Sequence, residues 1–199
     1  MGSLLGDITA RMVANVEASQ SARSQENAVI KFGMSGCHDT TIAGTLASLG
    51  AYETHRWPPY TSHVAYEVFR KSTTASAAKA SGDSSTVPAA GPAAAAGANP
   101  SSLAGSALHG IGRKPLQEMT EDELKRIEGH YVRVRYNDEP VTIPGCKAPG
   151  NHLEGDETFC TLAAFKEIVD KITPKNWRKE CANPDKGNLL PLKPEPAGY

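Results

Sequence analysis

Leu4, Ile8, Met12 and Val16 recur at four-residue intervals, which places them along one side of a helix. An amphipathic helix is therefore expected over residues 4–18, followed by a polar loop at 20–26. The next apolar run, Ala28-Val29-Ile30-Lys31-Phe32, reads as a strand. Small residues lead from it into Cys37-His38-Asp39-Thr40-Thr41, and residues 42–49 read as a helix stopped by Gly50. Helix, strand, helix is the order of an α/β fold.

Further along, Trp57-Pro58-Pro59-Tyr60 is stiff and extended, because each proline fixes its own φ and turns its predecessor away from helix. Residues 63–70 alternate as a strand with Val64, Tyr66 and Val68 on one face. Residues 72–112 are mostly Ala, Ser, Gly and Pro, too poor in large apolar side chains to offset their ordering entropy, and read as a disordered insertion. Order resumes with a capping box (Thr120 with Glu123), a hydrophobic staple (Met119 with Leu124) and a short helix ended by Gly129. Tyr131-Val132-Arg133-Val134-Arg135-Tyr136 alternates as a strand, Asn137-Asp138 turns, and Val141-Thr142-Ile143 is placed to pair back. Leu162, Phe165, Ile168, Val169 and Ile172 form the face of a last long helix. Thr173-Pro174 can cap a final short helix carrying Trp177, and the Pro-rich tail at 189–199 reads as frayed.

Composition narrows the function. The net charge of −1 and the scattered basic residues leave no electrostatic footprint for nucleic acid. No apolar run reaches the ~20 residues that span a bilayer. Met1-Gly2-Ser3-Leu4-Leu5-Gly6 lacks a signal peptide's basic start and a myristoylation site's Ser or Thr. Cys37, Cys146, Cys160 and Cys181 show no metal-type spacing. Cys146 and Cys160 flank a polar, Gly-rich loop, which a disulfide would close for roughly 3 kcal/mol in an oxidising compartment. Free thiols are the other reading. A metal site from Cys146, His152 and Cys160 has no recognised spacing.

The chemistry sits at His38-Asp39. On a tight turn the two side chains diverge, so they suit separate tasks: an imidazole donating to an anion and a carboxyl giving a proton to a leaving group. The plainer reading makes Asp39 an N-cap and His38 a polar turn residue.

Several ordered segments favour the first reading. Ser35-Gly36-Cys37-His38-Asp39-Thr40-Thr41, Trp57-Pro58-Pro59-Tyr60-Thr61-Ser62, Tyr66-Glu67-Val68-Phe69-Arg70 and Ile143-Pro144-Gly145-Cys146 closely resemble the C-terminal half of histidine acid phosphatases. The resemblance implies an α/β fold like that of phosphoglycerate mutases, with part of a mainly parallel sheet flanked by helices. It would be incomplete here and interrupted by the long disordered insertion. On this basis residues 1–71 carry the His-Asp motif, 72–112 are the insertion, 113–188 complete the same domain and 189–199 are a tail.

The resemblance further implies hydrolysis of small-molecule phosphate monoesters through a phosphohistidine, with no cofactor and no metal. Asp39 would be the proton donor, and His38 and Thr40 would contact the phosphate. Cys146 matches a family cysteine that pairs shortly downstream, with Cys160 as its partner. Cys181 resembles a position paired with the absent half, and Cys37, beside His38, is the least expected of the four. Secretion or a lysosome- or vacuole-like lumen is the family habit. Oligomeric state is not implied.

The departure is equally specific. No Arg-His-Gly-x-Arg-x-Pro motif, which carries the family's nucleophile, precedes His38. His109-Gly110-Ile111-Gly112-Arg113-Lys114-Pro115 lacks the leading Arg, has the wrong spacing and follows the His-Asp motif. The expectation is therefore an acid-donor half without its nucleophile, inactive by itself. The alternative is a non-catalytic relative or interaction fragment.

Overall fold

The first helix, α1, spans Gly2–Gln20 and buries Leu5, Thr9, Met12, Val13 and Val16. The buried stripe is centred on Leu5 rather than Leu4, which faces solvent. In this computed structural model residues 1–20, 31–52, 56–72, 110–176, 180 and 197–199 are described. The expected helix at Trp177, most of the insertion, Cys181 and residues 189–196 of the tail lie outside them.

Helix α2, Asp39–Ser48, ends as its sequence implies. Gly50 has φ +65°, its N–H donates to Ala47 O, and the Ala51 N–H donates to Leu46 O. These two bonds close a Schellman motif, which requires the left-handed backbone that glycine adopts at least cost.

Strands β1 (Val64–Arg70), β2 (His130–Tyr136), β3 (Glu139–Val141), β4 (His152–Leu153) and β5 (Asp156–Thr161) form one sheet. Its order is β1-β2-β5-β4, with β3 against the end of β2 beyond β5. Every pairing is antiparallel. This corrects the expectation of a mainly parallel sheet. The strand expected through Phe32 would have supplied a parallel element, and its first residues lie outside the described ones. Among the described residues, 31–38 form no ladder, and Phe32 and Met34 are 82% and 87% exposed. What determines the sheet is β1 lying on β2 from Val64↔Tyr136 to Arg70↔His130.

Asn137 and Asp138 both adopt positive φ, 48° and 70°, as a two-residue hairpin turn between β2 and β3 needs. The returning strand is Glu139–Val141, two residues earlier than expected. The loop between Cys146 and Cys160 contains two strands, and a disulfide joins the cysteines with a Cα–Cα distance of 5.2 Å.

Helix α3, Glu121–Ile127, begins with both capping-box bonds: Glu123 N–H to Thr120 Oγ1, 3.3 Å, and Thr120 N–H to Glu123 Oε2, 2.7 Å. Helix α4, Leu162–Ile172, is capped by Thr161 and lies over β2 and β5. Val132, Val134, Leu162, Phe165, Ile168 and Val169 form the centre of the core, joined by Leu5 and Val13 of α1 and Leu46 of α2. On the other face of the sheet Arg133 lies between the rings of Phe69 and Phe159 and bonds Glu67 at 2.8 Å.

Residues 110–118 are drawn onto this frame. Gly112 approaches Ala10 so closely that an added Cβ would lie 2.8 Å from its Cα. Lys166, fully buried on α4, donates to Gly112 O at 3.1 Å and to Asp170. At the other end of the chain Ala197 and Gly198 thread between the end of α2 and the turn at Pro144–Lys147. There the Gly145 N–H donates to Gly198 O at 2.6 Å.

Candidate active site

His38 is the N-cap of α2, with extended φ −92° and ψ 163°. Its carbonyl accepts from the Thr41 and Ile42 amides, so the chain changes from extended to helical at this residue. Asp39 follows as the first helical residue, where the helix dipole favours a negative charge. The plainer reading of Asp39 as the N-cap is therefore displaced by one position. His38 occupies the cap without a side-chain cap bond, which leaves its imidazole exposed.

Both Asp39 oxygens are engaged. Oδ1 accepts from the Thr40 amide at 2.7 Å, and Oδ2 accepts from the Trp57 indole N–H at 2.6 Å. These bonds, the indole's first and the amide's second, hold the carboxyl below its ordinary range, and the nearby His38 acts in the same direction. The carboxyl is nevertheless open to solvent. A group that is fixed in direction and accessible can exchange a proton with a bound molecule.

Trp57 was absent from the sequence-derived site. It lies 18 positions from Asp39 and reaches it because its neighbours are stiff. Pro58 behind it is buried, and the Arg56 carbonyl in front is held by the Tyr52 hydroxyl at 2.6 Å. The available signal was a donor-only side chain presented by a rigid Pro-Pro segment.

Thr40 is exposed beside Asp39, and its amide rather than its hydroxyl makes the recorded contact. Cys37 is an exposed free thiol. Burial pushes the Tyr66 hydroxyl well above its ordinary pKa, with a smaller contribution from Cys37. That hydroxyl is buried and has no hydrogen-bond partner among the described residues. Cys146 and Cys160 belong to the scaffold. Their sulfurs are bonded to each other, and His152 Nδ1 faces the Cys146 carbonyl at 2.9 Å, so these three residues do not form a thiolate metal set. His109 lies outside the described residues. In the segment after it, Arg113 is turned to Asp7 on α1.

Comparison with known proteins agrees in part with the sequence-based resemblance. No family model matches the chain, and no solved structure does. Over 181 residues, 90% of this chain, it is 30% identical to a probable acid phosphatase of Schizosaccharomyces pombe. The chain spans about a third of that relative's length, since the match covers 35% of it.

Proposed function

We propose that this chain is the acid-donor portion of a histidine-type acid phosphatase acting on small-molecule phosphate monoesters. One arrangement carries the reading: a solvent-open carboxyl, Asp39, held in a fixed direction next to an exposed imidazole at the start of a helix. The similarity to a probable acid phosphatase supports the phosphatase part.

In the first step a histidine nitrogen attacks phosphorus, a P–N bond forms and the ester P–O bond breaks. The Asp39 proton passes to the departing alkoxide. In the second step water attacks the phosphohistidine, the P–N bond breaks, and the water proton returns to the Asp39 carboxylate as inorganic phosphate leaves. His38 donates to a phosphoryl oxygen, with Thr40 beside it. Two displacements replace one harder one, and cationic donors stabilise the charge on the phosphoryl oxygens. The nucleophilic histidine comes from polypeptide beyond these 199 residues, which contain no Arg-His-Gly motif. Because Asp39 must be protonated to act, and its carboxyl is held low, the first step runs in acid and fades as pH rises.

The test is p-nitrophenyl phosphate hydrolysis by the longer polypeptide that includes upstream coding sequence. Asp39→Asn is expected to cost about 10²–10⁴-fold in turnover, the usual contribution of a positioned acid. Unchanged turnover, or an upstream sequence without an Arg-His-Gly motif, overturns the reading.

A second reading is a non-catalytic interaction fragment. It is favoured by the segment at 31–38, which carries no helix or strand and exposes Phe32 and Met34. Robust hydrolysis by the 199-residue chain alone would eliminate it.

A further inference from the structure

We infer that Trp57 is a positioning residue for Asp39: its indole N–H, 2.6 Å from Oδ2, sets the direction in which the carboxyl presents its proton. The inference rests on the acid-donor reading of Asp39 and deepens it.

The lone pairs of the carboxyl decide where its proton can sit. An indole N–H donates and cannot accept, so it can occupy an acceptor site on the carboxyl and never the proton's place. The Thr40 amide occupies an acceptor site on Oδ1, and Trp57 occupies one on Oδ2. The proton of the neutral acid is left to the remaining lone pairs, one on each oxygen of an exposed carboxyl, so the two donors narrow the directions in which it can be presented. Once the proton has gone, the carboxylate retains two N–H donors already in place, so no reorganisation is needed at that moment. Trp57 can perform this task because it is held from both sides. Pro58 is buried, and the Arg56 carbonyl accepts from Tyr52. The ring itself remains 57% exposed, so its N–H bond does not serve to bury the ring within the core.

His38 is the ionisable neighbour that acts on Asp39, and its positive form favours the carboxylate just as the indole does. Loss of the indole donor therefore leaves Asp39 a weaker acid with a less defined direction.

The experiment is a carboxyl ¹³C NMR titration of Asp39 in the 199-residue chain, wild type against Trp57→Phe, with the Trp57 indole N–H followed in parallel. The Asp39 midpoint is expected to move up in Trp57→Phe. The wild-type indole resonance is expected to titrate with Asp39 and to stop doing so in Asp39→Asn. An unmoved midpoint, or an indole signal indifferent to Asp39, overturns the inference. In the longer polypeptide, Trp57→Phe is expected to move the alkaline side of the turnover profile to higher pH and to lower kcat more than it raises KM. A uniform loss at every pH would mark a merely structural role and overturn it. The outcomes separate from those of the parent reading. If Trp57→Phe moves the Asp39 midpoint while Asp39→Asn leaves turnover intact, the acid-donor reading fails although the hydrogen bond exists. If Asp39→Asn abolishes turnover while Trp57→Phe moves nothing, only the positioning role fails.

Discussion

Lys166 donates to both carboxylate oxygens of Asp170, at 2.9 and 3.0 Å, from a side chain with 0% exposure. The two residues are one helical turn apart on α4, and each reaches beyond it. The Lys166 ammonium also donates to Gly112 O, and Asp170 Oδ2 accepts from the Leu116 amide at 2.8 Å. The pair therefore fastens residues 112–116 to the helix that covers the sheet.

Removing one partner of a buried pair typically costs about 3–5 kcal/mol, because the other charge is left uncompensated. Asp170 keeps partial access to water, which places Lys166→Ala at the low end, about 3 kcal/mol. Urea denaturation measures it. A change below about 1 kcal/mol would mean that neither the ammonium nor its stem fastens the segment at 112–116.

The features legible in the sequence were those decided within a few residues. Gly50 stops α2, Thr120 and Glu123 close a capping box, and Asn137-Asp138 turns a hairpin, because each depends on neighbours in the chain. The sense of the sheet was not decided locally. Val64, Tyr66 and Val68 alternate identically whether the partner strand runs parallel or antiparallel, and only the match to β2 settles it. Strand β5 was hidden because Asp156, Glu157 and Thr158 look like loop residues. They become strand as the start of β5, whose Asp156 pairs with Leu153 of β4 while Phe159, Cys160 and Thr161 pair with β2. At the candidate site, His38 and Asp39 were visible as an adjacent pair, whereas Trp57 enters through a contact across 18 positions that no spacing rule encodes.

Gly198 makes a second contact of that kind. Its φ is +82°, and a Cβ there would collide with the Leu49 carbonyl oxygen and lie 3.0 Å from Pro144. The first neighbour is backbone at the end of α2, so it cannot rotate away. Gly198→Val should therefore expel the segment at 197–199, at a cost of about 1–3 kcal/mol for the lost fit and the strained φ. Hydrogen exchange at the Gly145 amide reports it directly, since that N–H donates to Gly198 O. Exchange at Gly145 as slow as in the wild type would refute the docking. The Ala51 amide, bonded within the end of α2, should remain protected and serves as the internal control.

Acid should loosen the fold through its tied carboxylates. Glu123 is held below its ordinary 4.5, chiefly by the Lys114 ammonium and then by the Thr120 amide. Asp156 is held below 3.8, first by the Thr158 hydroxyl and then by the Thr158 amide. Since both folded pKa values are depressed, the unfolded chain binds these protons more readily. Their stabilising contribution is complete above the unfolded values near 4.5 and 3.8, and it is lost as pH falls through the lower folded ones. The urea midpoint should accordingly hold steady from pH 7 to about 5 and then decline toward pH 2–3. Thr158→Val removes the hydroxyl bond that contributes most to the Asp156 shift while preserving the β-branched shape suited to β5. In that variant the decline should be shallower than in the wild type. An equally steep decline would assign the acid sensitivity to carboxylates other than Asp156.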